Sequence, residues 1–230
     1  VSLNAIQALW PGGQDSARSR TGAAALSAVV TDGRRLLMPA NWRQIASAIG
    51  TAAEMERKWI GAVPQEEAER ELYTPWMPFQ LFTWIAMLAE AAPDVPQSDD
   101  RPPCLMEIGA GIATKLLIAR EVFGLDVHGI ERSDEYAAVG RTLGLDVVTA
   151  DALSMPGYGG HELLWFNRAF RDTALQAKLE ALVWNTADPG AVIMCANLEC
   201  RPPMGWYPIL DAWSSERHGI WQKPFGPGAS

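Results

Sequence analysis

The rhythm of hydrophobic and polar positions changes along the chain. Between residues 41 and 92, Ile45, Ala48, Ile49, Ala52, Met55 and Trp59 recur three or four residues apart. That spacing predicts a helix from Trp42, with Asn41 as its N-cap. An acidic stretch, Gln65–Leu72, follows Pro64 and reads as another helical turn or two. Pro75 and Pro78 punctuate Tyr73–Phe79, and an apolar helix is predicted over Phe79–Ala92, stopped by Pro93. Asp94–Pro103 is polar and proline-rich, a linker. From Cys104 the period shortens. Apolar runs Cys104–Ile108, Asp126–Glu131, Leu145–Thr149, His161–Asn167 and Ala191–Ala196 read as strands. Helical stretches Ile112–Phe123, Asp134–Leu143 and Thr173–Asn185 separate them, as does the loop after Thr149. Such alternation predicts an α/β fold with a mostly parallel central sheet flanked by helices. In the tail, Trp206–Glu216 reads as a helix and His218–Gln222 as a last strand. The chain divides into an N-terminal arm (1–40), a helical lid segment (41–98) and a main domain (99–230).

Composition narrows the function. The chain has 230 residues and a formal net charge of −8, which argues against a general nucleic-acid clamp. The charge is uneven: residues 1–50 carry Arg18, Arg20, Arg34, Arg35 and Arg43 against two acids, whereas residues 51–100 hold ten acids against three bases. Cys104, Cys195 and Cys200 fit neither a disulfide scaffold nor a metal-ligand spacing, so no metal is expected, and a reducing, cytoplasmic location is. No apolar run is long enough to span a bilayer, and no secretory signal is evident.

The chemistry concentrates in Glu107-Ile108-Gly109-Ala110-Gly111, where a strand turns into a helix. Neither glycine has a Cβ, so the backbone can turn tightly and approach a ligand. The third glycine of a dinucleotide fingerprint is absent, because Thr114 stands there. The next strand ends at Glu131, followed by Arg132, where a carboxylate can accept hydrogen bonds from ribose hydroxyls. The strand after that leads into Asp151-Ala152, and an aspartate there can accept from an exocyclic adenine amine. Three successive strand ends thus supply a glycine turn, a ribose acceptor and an adenine acceptor.

In this order and spacing the chain resembles the class I S-adenosylmethionine-dependent methyltransferases over roughly residues 100–200. The resemblance implies a Rossmann-like fold, with a seven-stranded sheet containing one antiparallel strand and an N-terminal helical extension. It implies S-adenosylmethionine as cofactor and S-adenosylhomocysteine as product. Glu107, Gly109, Ala110 and Gly111 would then surround the methionine part, Glu131 with Arg132 the ribose, and Asp151 with Ala152 the adenine. Only 33 residues follow Asn197, short for the family's last helix and two strands, so the end of the sheet is expected to be trimmed.

The fourth strand ends Asn167-Arg168-Ala169-Phe170. Amino-directed methyltransferases carry Asp/Asn-Pro-Pro-aromatic there. The replacement of both prolines counts against a DNA-base enzyme. The resemblance implies that Asn167 would adjoin the cofactor, and it is a candidate catalytic residue together with Glu199, a candidate base after the fifth strand. Arg168 can hold a substrate carboxylate or phosphate, or sit in a surface salt bridge. Tyr73 and Trp76, just ahead of the domain, are candidates to line the substrate pocket. His128 and His161 lie near the beginnings of their strands, the wrong edge for catalysis, and structural roles are expected for them. No second carboxylate accompanies Asn167 to make a magnesium site. The reading is therefore a methyltransferase acting on a small molecule or a protein side chain. The alternative is a non-catalytic subunit of a larger assembly or homo-oligomer, joined through the N-terminal arm and the aromatic tail.

Overall fold

The computed structural model describes residues 42–60, 62, 71–76, 79–98, 100–212 and 218–226. The N-terminal arm, Asn41, most of the acidic segment and Trp213 lie outside them. Ahead of the sheet, the described residues include the helices α1 (Trp42–Trp59) and α2 (Leu81–Ala91), the latter running into a 3-10 turn at Ala92–Asp94. The sheet unit follows as β1 (Cys104–Ile108), α3 (Thr114–Phe123), β2 (Asp126–Glu131), α4 (Asp134–Thr142), β3 (Asp146–Thr149), β4 (Leu163–Phe166), α5 (Thr173–Thr186), β5 (Val192–Cys195), β6 (Tyr207–Ala212) and β7 (His218–Gln222).

The seven strands lie in the order β3-β2-β1-β4-β5-β7-β6. The pairs β3–β2, β2–β1, β1–β4 and β4–β5 are parallel, and β7 runs antiparallel to both its neighbours. Every residue of β1, β4 and β5 is buried, as expected of parallel strands covered on both faces. The edge strand β3 buries only Val147. One apolar layer packs α1, α2 and α3 against Leu105, Trp165 and Met194. The other packs α5 and Tyr158 against Ile108, Phe166 and Ile193. Local signals set the helix ends. Ser133 Oγ accepts from the Tyr136 N–H to cap α4, and Asp172 does the same from Leu175 for α5. Gly124, at φ 67°, closes α3. No described helix is long and apolar enough to cross a membrane.

Two expectations for the tail are corrected. Residues 207–212 form an edge strand, not a helix, paired to β7 with an irregularity between Pro208 and Leu210. Pro208 has no N–H to donate, which a helix interior penalises and an edge strand tolerates. The sheet is also not trimmed. Both final strands are present, and the shortening falls on the connection, since residues 196–206 form no helix. The tail tryptophans pack inward. Trp221 is buried, and its ring lies 6.1 Å from that of Trp184, which also meets Trp206 at 5.0 Å.

Candidate functional site

The carboxyl ends of β1, β2 and β4, with the loop after β3, bring most of the expected residues together. Gly109 and Gly111 both adopt positive φ, 78° and 55°, and so does Ala113 at the entry to α3 (60°). At these angles glycine avoids the cost an L side chain meets. A Cβ on Gly111 would also collide with the Trp76 indole, which lies across the turn.

The N–H groups of this turn point inward. Those of Gly109 and Ala110 donate to the Ile130 carbonyl at 2.8 and 2.9 Å. That of Gly111 donates to Glu131 Oε2 at 2.8 Å, while Glu131 Oε1 accepts from the Ser133 N–H at 2.8 Å. A turn that cradles phosphate presents free N–H groups. Here the protein's own acceptors take all three, and one of those acceptors is a carboxylate. Burial raises the Glu131 carboxyl above its ordinary range, opposed by the N–H groups of Ser133 and Gly111. An ionised carboxylate has about four lone-pair positions, so Glu131 keeps capacity for ribose hydroxyls.

Beneath the turn, Glu107 is buried on the α3 face of β1. Its Oε2 has no hydrogen-bond partner among the described residues. Burial pushes its carboxyl up to about 8; Lys115 counteracts this, and Glu56 and Glu131 add to it. Glu56 of α1 accepts from Thr114 Oγ1 at 2.7 Å and lies 3.5 Å from Lys115 Nζ. The site therefore stacks negative and acidic groups around a phosphate-averse turn, which suits a cation.

Asp151 is divided between two partners. Oδ1 caps the short 3-10 turn at Ala152 by accepting from the Leu153 N–H (2.9 Å), and Oδ2 faces the Tyr73 hydroxyl at 3.3 Å. Ala152 is buried, and its carbonyl accepts from the Tyr158 hydroxyl at 2.7 Å. Tyr73 also stacks with Phe170 (5.2 Å between centroids) and carries the Arg132 guanidinium 4.0 Å above its ring. Backbone bonds from Thr74 to Ala169 and from Arg171 to Leu72 strap this segment to the loop after β4. Trp76 continues the aromatic cover, 5.4 Å from Tyr136.

Asn167 Oδ1 accepts from the Arg168 N–H and from Asn197 Nδ2, both at 2.8 Å, tying the ends of β4 and β5 together. Asn197 sits at φ 55°, a conformation asparagine tolerates. Arg168 and Glu199 pair with one another at 3.1 Å, and Arg168 Nε also donates to the Phe170 carbonyl. The two expected substrate groups thus neutralise each other in this state.

A supporting pair on α5 escaped sequence reasoning. Gln176 Oε1 accepts from the N–H groups of Ala169 and Phe170, both at 3.1 Å. Its amide donates to Glu180 (2.8 Å), and Glu180 accepts in turn from the N–H groups of Glu199 and Cys200, both at 2.8 Å. Both side chains are fully buried. Their i,i+4 spacing was the only signal, and nothing in it names the loops they hold.

Seven strands with a single antiparallel one, a glycine turn after β1 and acids after β2 and β3 decide the fold. It is the fold of the class I S-adenosylmethionine-dependent methyltransferases. No protein-family profile matches this chain, and no curated protein does. Solved structures with this methyltransferase fold do match. An RNA methyltransferase from Salinibacter ruber, in complex with S-adenosyl-L-homocysteine, is 17% identical over 67% of this chain and 98% of its own, with a TM-score of 0.49. DesVI from Streptomyces venezuelae is 17% identical over 42% of each chain, with a TM-score of 0.35. The sugar N-methyltransferase KedS8 from a Streptoalloteichus species is 19% identical over 41% of this chain and 40% of its own, also with a TM-score of 0.35. The match to DesVI thus spans about two fifths of that protein. At such identities the likeness concerns the fold alone.

Proposed function

We propose that this chain is an S-adenosylmethionine-dependent methyltransferase acting on a small molecule or a protein side chain. The observation that carries the reading is the inward-facing glycine turn. All three of its N–H groups are taken by protein acceptors, Glu131 lies against it, and Glu107 Oε2 lies beneath it with no hydrogen-bond partner among the described residues. That environment repels the pyrophosphate of a dinucleotide and favours a cofactor with an ammonium and a sulfonium and no phosphate.

The residues fit this cofactor. Glu131 would take the ribose hydroxyls on its remaining lone pairs while holding the turn. Glu107 would face the methionine ammonium, and a cation there favours its ionised form. Asp151 and Ala152 would flank the adenine, with the Tyr73 hydroxyl yielding its share of Asp151. When bound, S-adenosylmethionine supplies an electrophilic methyl group on a positively charged sulfur. The protein's contribution is alignment and a dry approach path. Trp76 covers the glycine turn in this structure and must swing aside for entry. Tyr73, Phe170 and Trp76 would then shield the site from water.

Asn167 and Asn197, locked by their mutual hydrogen bond, would border the transfer path. Glu199 is the base for an acceptor that arrives protonated, once its ion pair with Arg168 opens. An acceptor bearing a carboxylate or phosphate would open it by taking Arg168 in a charge-assisted pair. The test is incubation with isotopically labelled methyl donor and either a small-molecule extract or a protein extract. Label in one fraction, lost in Asp151→Ala, supports the reading and names the acceptor class. Absence of both labelled product and donor binding overturns it.

A further inference from the structure

Away from the glycine turn, in the amino-terminal half of the sheet, three side chains converge. Cys104 begins β1, His128 lies in β2, and His161 sits two residues before β4. Cys104 Sγ is 3.7 Å from His128 Nδ1, and His128 Nδ1 is 3.3 Å from His161 Nε2. All three donor atoms lie within 4.8 Å of one another. Tetrahedral zinc, with bonds of about 2.0–2.1 Å to nitrogen and about 2.3 Å to sulfur, holds nitrogen ligands about 3.3 Å apart and a sulfur–nitrogen pair about 3.6 Å apart. Two edges of the cluster already have these lengths.

The second nitrogen of each ring lies outside the cluster. His128 Nε2 faces Asp146 Oδ2 at 3.7 Å. His161 Nδ1 is buried, with no hydrogen-bond partner among the described residues. Protons on these atoms leave lone pairs on His128 Nδ1 and His161 Nε2, pointing at one another and at the sulfur. Without a cation, one ring must turn a proton inward. The surroundings are held in place. Glu162, next to His161, accepts from the Cys104 N–H at 2.9 Å and pairs with Arg101 at 2.6 Å, fixing the two segments together.

We propose that Cys104, His128 and His161 bind one zinc ion, with water completing the tetrahedron. The thiol loses its proton to solvent on binding, and the two imidazoles stay neutral. Glu162, which accepts from the Cys104 N–H, and Asp146, which faces His128, place two carboxylates beside the cluster, and their field attracts a divalent cation. Ligands 24 and 33 residues apart carry no sequence signature, and only the parallel register of β1 with β2 and β4 joins them. The site stands apart from the proposed cofactor site and does not depend on that reading.

The test uses the full chain, stripped with a chelator and titrated with zinc(II), and separately with cobalt(II) as a spectroscopic probe. One equivalent of zinc binds and raises the thermal midpoint. Cobalt gives tetrahedral ligand-field bands and a thiolate charge-transfer band. Cys104→Ser abolishes the charge-transfer band. His161→Ala, outside the strands, lowers zinc affinity by more than about 100-fold, since even outer partners of a metal site are worth about 10–100-fold. Cys200→Ser, at an exposed position, changes nothing. A folded wild-type chain that takes up no zinc overturns the proposal. So does a cobalt spectrum without the thiolate band, or equal affinity in His161→Ala.

Discussion

Replacing Glu131 with glutamine separates the two tasks assigned to this side chain. In the cofactor-free protein its two oxygens each accept a backbone N–H at 2.8 Å, one from Gly111 and one from Ser133. Glutamine keeps one acceptor oxygen and puts an NH₂ group against the other donor. One charge-assisted bond is lost, the other is weakened, and one buried N–H faces another donor. A hydrogen bond to a charged group contributes about 1.5–3 kcal/mol, and the ionised form already bears a desolvation cost, so the expected loss is about 2 kcal/mol. For a chain of this size that lowers the thermal midpoint by about 4–8 °C. Scanning calorimetry of the cofactor-free variant reads this directly. Titration of the same variant with S-adenosylhomocysteine, at a temperature where it is folded, reads the ribose contribution separately. An unchanged midpoint without ligand would refute the role of Glu131 in organising the turn, whatever happens to binding.

Three further outcomes are expected. The folded chain holds the Glu107 carboxyl at about 8 against an ordinary 4.5, so the folded state keeps a proton that the unfolded chain releases. This group's contribution to stability is therefore full below about pH 4.5 and is lost as pH rises to about 8, and Glu107→Gln should remove that slope from pH-dependent denaturation. Binding of the cationic cofactor at neutral pH should release a proton, and calorimetry in buffers of different ionisation enthalpy would show none if the acid does not face the ammonium. Gly111→Ala sets a Cβ at φ 55° against Trp76, costing at least about 1–2 kcal/mol from the backbone alone, and it should abolish cofactor binding; retained affinity would mean the turn is not the site. Glu180→Ala strands the buried Gln176 amide and takes the acceptor from the part-buried N–H groups of Glu199 and Cys200, and urea denaturation should show a loss of about 2 kcal/mol; a loss within error would mean water replaces the carboxylate.

The parts of this molecule legible in its sequence are those governed by local periodicity. Fully apolar runs such as Leu163–Phe166 and Val192–Cys195 can be satisfied only between two covered faces, so the parallel core follows from them. The glycine turn was legible because its backbone needs residues without a Cβ. The edge strand at 207–212 was misread because its status depends on pairing with β7, a contact no local spacing encodes. The site was legible in its positions and not in its pairings. Arg168 was read toward a substrate or a salt bridge and Glu199 as a base; the ion pair forms, but its partner, 31 residues away in sequence, meets it only across the ends of β4 and β5. Asp151 was read toward adenine, and its two oxygens are divided between a cap and Tyr73. Gln176 and Glu180 looked like ordinary polar helix residues, because burial is set by the loops folded over them.

On the proposed function, the glycine turn receives a cationic, phosphate-free nucleoside cofactor. Titration calorimetry of the intact chain with S-adenosylmethionine and, in parallel, with NAD tests it most directly. Saturable, stoichiometric binding of S-adenosylmethionine and none of NAD is the expected result. Binding of NAD, or a folded chain that binds neither, would contradict it.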